Sequence, residues 1–327
     1  MSKKLFGAAL SLVVAVMLLL SGCAPGPANP SASPAASPVA SVNIPPQGSF
    51  PMMVTDMLGR QVKLEMMPEK LVSLAPSNTE ILFALGIGDR LVGVTQYCDF
   101  PEEAKSKPKI GGFSTADIEK IVSLSPDLVL ATRIHQKEVI PALERVGLKV
   151  FGLSPKTVDA VLESITLTGK ITGQVSAAER LTGELKTRIA AVVSKTGGLP
   201  PGKYPRVLYI NWADPIKIAG SDTFADDLIA KAGGDNVATD LSGYSTISLE
   251  TIIDRNPQVI IVSGMGDNRK KTYNAIMSEA RLSGIEARVK GQVYEMDSAI
   301  IERAGPRLVL ALEQAAKFLH PEIFGKL

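Results

Sequence analysis

From residue 71 onward, short apolar bursts alternate with longer stretches in which apolar residues return every three or four positions. LVSLA at Leu71 reads as a strand, followed by a helix to Leu85 that Gly86 or Gly88 closes. LVGVT at 91, DLVLAT at 127 and KVFGL at 149 read as further strands, with IEKIVSL at 118 and VIPALERVG at 139 helical between them. Strands alternating with helices predict parallel β-α-β units. Strands that are apolar throughout fit a sheet covered on both faces.

Where the first strand meets its helix, Ser77 and Glu80 have the spacing of a capping box, in which each side chain satisfies a backbone N–H at the helix start. Thr157 to Ile171 is a helix. Ser176 and Glu179 repeat the box pattern and open another helix, to about Lys195, with Leu181, Leu185, Ile189, Val192 and Val193 at helical spacing. GGLPPGKYP then breaks the periodicity. At Arg206 the alternation restarts: RVLYI, a helix from Thr223 to Lys231, GGDNV, a helix from Leu249, VIIVSG, a further helix, QVYEM, and a last helix from Pro306 to Leu319.

The two halves resemble each other. IEKIVSLSPDLVLA (118–131) lines up with LETIIDRNPQVIIV (249–262). Glu119 and Glu250 sit in a first turn, where the helix dipole favours them, and Pro126 and Pro257 end the helices. The expected fold is therefore α/β, with two Rossmann-like lobes of parallel sheet joined by a single long bridging helix. The lobes are expected over 51–173 and 198–327, with the bridge over 174–197.

The chain opens differently. Lys3 and Lys4 precede an uncharged apolar run from Leu5 to Leu20, which ends in Leu20-Ser21-Gly22-Cys23. A basic start, an apolar middle and a small-residue end predict a secretory signal over 1–22; the run is shorter than the roughly 20 residues of a spanning helix. Cys23 after Leu-Ser-Gly resembles a bacterial lipobox, which implies cleavage before Cys23 and diacylglycerol on its sulfur. Residues 23–50, rich in Pro, Ser and Ala, cannot bury a core and read as a disordered tether. Extended, it reaches at most roughly 90 Å. The expected location is the outer face of the cytoplasmic membrane, held by lipid.

Charge and reactive residues narrow the function. The net charge is +2 and no dense basic cluster carries interleaved aromatics, which argues against nucleic acid. With Cys23 lipidated, Cys98 has no partner for an internal disulfide and reads as a buried or pocket-lining thiol. There are two histidines, His135 and His320, and no Gly-x-Ser-x-Gly elbow, phosphate-binding loop or metal-ligand cluster. No catalytic residue, metal site or cofactor is expected; an exported hydrolase with a dispersed triad is the alternative from another class.

Ligands of parallel sheets bind beyond the carboxyl ends of the strands. The residues there are Ser77 and Asn78; Tyr97 and Cys98; Arg133, His135 and Gln136; Asn211 and Trp212; Ser263 to Asp267; and Ser298 to Arg303, with Gly112, Phe113 and Ser114 before a helix. Aromatics, amides, hydroxyls and arginines together suit a bulky, partly apolar ligand with polar edges. Trp212 reads equally as a packed core residue. His135 reads as a surface loop residue or as a pocket donor or axial metal ligand.

LVSLAPSNTEILFALGIGDRLVGVTQYCDFPEEA, DIEKIVSLSPDLVLA, AGGDNV and ERAGPRLVLALEQ resemble the helical-backbone periplasmic binding proteins, the substrate-binding proteins of ABC importers for cobalamin, haem and ferric siderophores. The resemblance runs from about residue 53 to the end. It implies a ligand cleft between the lobes, modest closure, an ABC permease with its ATPase as partners, and a monomer. The pattern is most similar to the cobalamin binders, so the implied ligand is a corrinoid or another metal chelate. The resemblance implies ligand contacts at Tyr97, Phe113, Arg133 and Arg303, beside Ser77, Asn78, His135 and Trp212 from the strand ends. Thr132 stands where the cobalamin binders carry Trp, which removes one flat partner for the corrin face. Transporter docking in the family uses one acid per lobe; these positions fall on Glu138 and, because the strict register gives Arg269, on nearby Asp267.

Overall fold

The computed structural model describes residues 49–264 and 268–325. The expected signal, nearly all of the tether, Cys23 and Asp267 lie outside the described residues. The first elements are a hairpin of β1 (Met52–Thr55) and β2 (Gln61–Leu64), then β3 (Leu71–Ser73), α1 (Pro76–Ala84), β4 (Leu91–Val94), α2 (Ile118–Ser123), β5 (Leu128–Ala131), α3 (Val139–Arg145) and β6 (Val150–Gly152). Strands β3 to β6 form a parallel sheet in the order β4-β3-β5-β6. Asp56 pins the hairpin to this sheet: its Oδ2 accepts from the Gly152 N–H at 2.9 Å and from the Arg60 guanidinium.

Two helices follow, α4 (Val158–Ile171) and α5 (Val175–Thr196). The second half comprises β7 (Arg206–Ala213), β8 (Ile216–Ala219), α6 (Phe224–Lys231), β9 (Asp235–Asn236), β10 (Tyr244–Thr246), α7 (Leu249–Arg255), β11 (Val259–Val262), α8 (Asn268–Ser278), α9 (Glu286–Val289), β12 (Val293–Glu295), α10 (Ser298–Ile301), α11 (Leu308–Leu319) and α12 (Pro321–Phe324). Its sheet runs β10-β8-β7-β11-β12, with β9 beside the start of β7. β7, β11 and β12 are parallel, whereas β8 and β10 join antiparallel. The tight Asp214-Pro215 turn folds β7 back into β8, an addition that the apolar alternation did not separate from β7.

The repeated units are capped alike. Asp117 accepts from the Lys120 N–H to open α2, and Ser248 accepts from the Thr251 N–H to open α7. Each helix is followed by a left-handed residue just before the proline, Ser125 (φ 47°) and Asn256 (φ 40°). The proline therefore marks the boundary while the preceding residue makes the turn.

Both expected capping boxes are absent. Extended Ala75 is the N-cap of α1, with Pro76 in its first turn and no side-chain cap. Gln174 precedes α5, also without a side-chain cap. Gly86, at φ 77°, closes the α1 end as expected.

Alternate strand residues face opposite layers. Val72, Val129 and Val150 pack under α2 and α3, while Leu208, Ile210 and Ile260 pack on the far side of the second sheet. The remaining strand faces (Leu71, Leu128 and Phe151 on one sheet, Val207, Tyr209 and Ile261 on the other) belong to a single buried cluster with side chains of α1, α4, α5, α6 and α11. Helix α5 is the covalent bridge and packs on α4, α6 and α11. The two lobes thus share one core. Separating them would expose apolar surface costing about 25 cal/mol per Å², which resists wide opening.

Candidate functional site

The carboxyl ends of β3 and β4 and the loop after β12 meet at the lobe junction. Gly305 sits against the first turn of α1: a Cβ there would lie 3.6 Å from Ser77 Cα and 3.5 Å from Glu80 Oε2. Around this contact an ion-pair group joins the lobes. Arg307 Nε donates to Glu80 Oε2 at 2.9 Å and its Nη2 donates to Oε1 at 2.6 Å. Arg303 Nη1 donates to Glu80 Oε1 at 3.4 Å and to Asp99 Oδ1 at 2.5 Å; its Nη2 reaches Asp99 Oδ2 at 3.3 Å and the Tyr97 carbonyl at 3.4 Å. Phe100 lies under the Arg307 guanidinium, 4.0 Å from the ring centroid. The Arg303 hydrogen bond holds the Asp99 carboxyl below the usual carboxylate range.

Glu80 is therefore an interlobe anchor rather than a capping residue; its side chain is 2% exposed. Nothing in its local spacing shows this, because both partners lie more than 200 positions away. Ser77, against Gly305, and Arg303 both lie at the junction. Tyr97 is there too, its carbonyl reached by Arg303, and the residue is 45% exposed.

Asn78 and His135, expected as ligand contacts, are buried instead. Asn78 is buried and its Nδ2 donates to the Ala131 carbonyl at 3.3 Å, tying α1 to the end of β5. It has no surface to offer a ligand. His135 is fully buried and both ring nitrogens are engaged. Its Nδ1 accepts from the Thr132 N–H at 3.0 Å, so Nε2 carries the proton and donates to the Phe113 carbonyl at 2.7 Å. Burial lowers its pKa. A ring so held is a structural brace, not an axial ligand or pocket donor. It fixes the Phe113 loop, with the Phe113 ring edge-on to it at 5.6 Å between centroids. Arg133 is exposed in the short turn after β5 and makes no ion pair among the described residues. Cys98 is buried between the Thr79 and Thr95 hydroxyls, at 3.1 and 3.2 Å, and does not line the junction.

On the second lobe, Trp212 at the end of β7 is 41% exposed, and its indole N–H donates to the Asp214 carbonyl at 2.8 Å. It is not a core residue. Sequence reasoning missed Tyr244, a half-exposed aromatic on the edge strand β10. An isolated Tyr in the turn-like LSGYS carried no periodic signal. It also missed the buried network under Arg303. The Tyr209 hydroxyl donates to Glu302 Oε1 at 2.8 Å, the Ser263 hydroxyl donates to the same oxygen at 2.6 Å, and the two hydroxyls lie 2.5 Å apart. Burial raises the Glu302 pKa and, with the nearby Glu302 charge, raises that of Tyr209. Asn211 Oδ1 is buried without a partner.

A recess of about 410 Å³ opens between the lobes behind the Glu80–Arg307 pair, lined by Phe83, Phe100, Pro101, Pro306 and their neighbours. None of the expected ligand residues lines it. Glu138 is exposed ahead of α3, consistent with a surface role. No His, Cys and carboxylate group able to hold a metal occurs among the described residues. None of the described helices is long and apolar enough to cross a membrane.

The model of the family described as periplasmic binding protein matches residues 71–300. The chain is 31% identical over 327 residues to the uncharacterized ABC transporter substrate-binding lipoprotein YvrC of Bacillus subtilis, covering 98% of this chain and 99% of that one. It is 30% identical over 279 residues to a cobalamin-binding protein of Halobacterium salinarum, covering 83% and 75%. Among solved structures, the periplasmic heme-binding protein RhuT of Roseiflexus sp. RS-1 superposes with a TM-score of 0.70 at 27% identity, covering 77% of this chain and 98% of that one.

Proposed function

Because the chain belongs to the periplasmic binding protein family, we propose that it is the substrate-binding component of an ABC importer and that its cargo is a corrinoid. The observation that carries this is a set of exposed aromatics on both lobes. Tyr97 on the first lobe, and Trp212 and Tyr244 on the second, leave between 41% and 48% of their surface free; Phe100, at 44%, is as exposed but lies against the Arg307 guanidinium. Exposed apolar rings beside a guanidinium suit a large flat ligand with polar edges. The relative named for cobalamin binding supports a corrinoid.

The remaining roles follow from this reading. Ser77 after β3, Phe113 before α2 and Arg133 after β5 are further candidate contacts on the first lobe. Glu138 offers one acidic docking contact for the permease, and Asp267 is the second-lobe candidate. A diacylglycerol on Cys23 would hold the protein at the outer face of the membrane. The relative named as a substrate-binding lipoprotein supports this anchor.

Haem is the second reading. A guanidinium at the junction suits propionate oxygens, and a solved relative is named for heme binding. Calorimetric titration of the full chain in detergent with cyanocobalamin, dicyanocobinamide, haem and ferric hydroxamates separates the readings. An isotherm with either corrinoid is expected. Heat with haem alone, together with a Soret shift lost in Tyr97→Phe, would replace corrinoid by haem. Heat with ferric hydroxamate alone would replace it by siderophore.

A further inference from the structure

The two arginines at the junction are held with unequal strength. The Glu80–Arg307 pair is enclosed: the carboxylate is 2% exposed and the guanidinium 17%. Arg303 is 19% exposed, but its principal partner Asp99 is 52% exposed and lies on the other lobe. A partly solvated ion pair contributes a factor of about five at most to an equilibrium, while a buried pair resists separation far more strongly. Asp99 is thus the replaceable partner and Glu80 the fixed one. A ligand oxygen that takes the Arg303 guanidinium face competes with Asp99 and leaves Glu80–Arg307 undisturbed.

We propose that Asp99 is an internal counter-ligand: it holds Arg303 until a carbonyl or carboxylate oxygen on the edge of the cargo takes its place, and it re-pairs Arg303 as the cargo leaves. The inference rests on the binding function proposed above. Its physical logic is that of a release aid. Without Asp99, departure of the cargo would leave a guanidinium at the lobe junction with only a long contact to Glu80 and one to the Tyr97 carbonyl, at 3.4 Å each. With Asp99, two contacts at 2.5 and 3.3 Å take over. Asp99 therefore acts through Arg303 as a positioning residue and is not itself a cargo contact.

Two measurements test this. In the full chain with 15N-labelled arginine, the Arg303 side-chain NMR signals, assigned with Arg303→Lys, should move in Asp99→Asn and return in Asp99→Glu. Acetate, a minimal carboxylate, should perturb those signals at an about fivefold lower concentration in Asp99→Asn than in wild type. In stopped-flow dissociation of cyanocobalamin or haem, Asp99→Asn should slow release up to about fivefold, with little change in the association rate. The same substitution in an Arg303→Gln background should have no effect on release. If neither compound binds wild type, the proposed function falls and the acetate titration alone decides the role of Asp99. Arg303 signals unmoved by Asp99→Asn, or slowed release that persists in Arg303→Gln, would overturn the proposal.

Discussion

Replacing Glu80 by Gln removes one charge from the most enclosed ion pair between the lobes. The carboxylate takes two short bonds from Arg307, at 2.9 and 2.6 Å, and a longer one from Arg303. Gln keeps the volume and one acceptor oxygen, but it strands the Arg307 charge, whose side chain is 17% exposed. Breaking a buried pair by removing one partner costs about 3–5 kcal/mol, and the partial exposure of Arg307 places Glu80→Gln near about 3 kcal/mol. At about 2–4 °C per kcal/mol for a chain of this size, the melting temperature falls by about 6–12 °C. Thermal unfolding followed by circular dichroism measures it. The cost should shrink in Glu80→Gln/Arg307→Met, where neither charge remains and Met keeps apolar contact with Phe100. A loss below about 1 kcal/mol, or the same loss with and without Arg307, would refute the anchoring role.

Other outcomes follow from the same geometry. Burial lowers the His135 pKa from its ordinary 6.5, so the unfolded chain binds the proton more readily and stability drops as pH falls below about 6.5; urea titrations should show a shallower drop in His135→Gln. Burial raises the Glu302 pKa above 4.5, so the folded state holds the proton longer and stability declines as pH rises from 4.5 through that raised value; Glu302→Gln should remove the decline in the same titrations. Tyr209→Phe deletes one donor to the Glu302 carboxylate and should cost about 1–3 kcal/mol in denaturant unfolding. Gly220→Ala places a Cβ 1.9 Å from the Leu241 carbonyl oxygen and should cost about 1–3 kcal/mol, with reduced thermal stability as the readout.

Much of the fold was legible because its signals are local. Apolar bursts and 3.6-residue periodicity placed the principal strands and helices, and the helix-Pro-strand unit at 118–131 and 249–262 marked the two related lobes. Short polar pieces such as β8 and β10 carried no such pattern; they are set by pairing with β7, which only the folded chain supplies. At the site, strand-end positions named Ser77, Tyr97 and Arg303, which the fold brings to the lobe junction, and Trp212, which is exposed at the end of β7. Side-chain direction was not legible. Asn78 and His135 lie at the same kind of position yet turn inward to backbone carbonyls.

By itself, then, the sequence determined the alternation of elements and the duplication, because each is written in neighbouring residues. The tertiary structure decided what the charges do. Ser77 and Glu80 have the spacing of a helix cap, but Pro76 and extended Ala75 open α1 without one, and Arg307, 227 positions away, takes the carboxylate instead. A buried charge is governed by whichever opposite charge the fold brings within hydrogen-bond distance, and no local spacing specifies that partner.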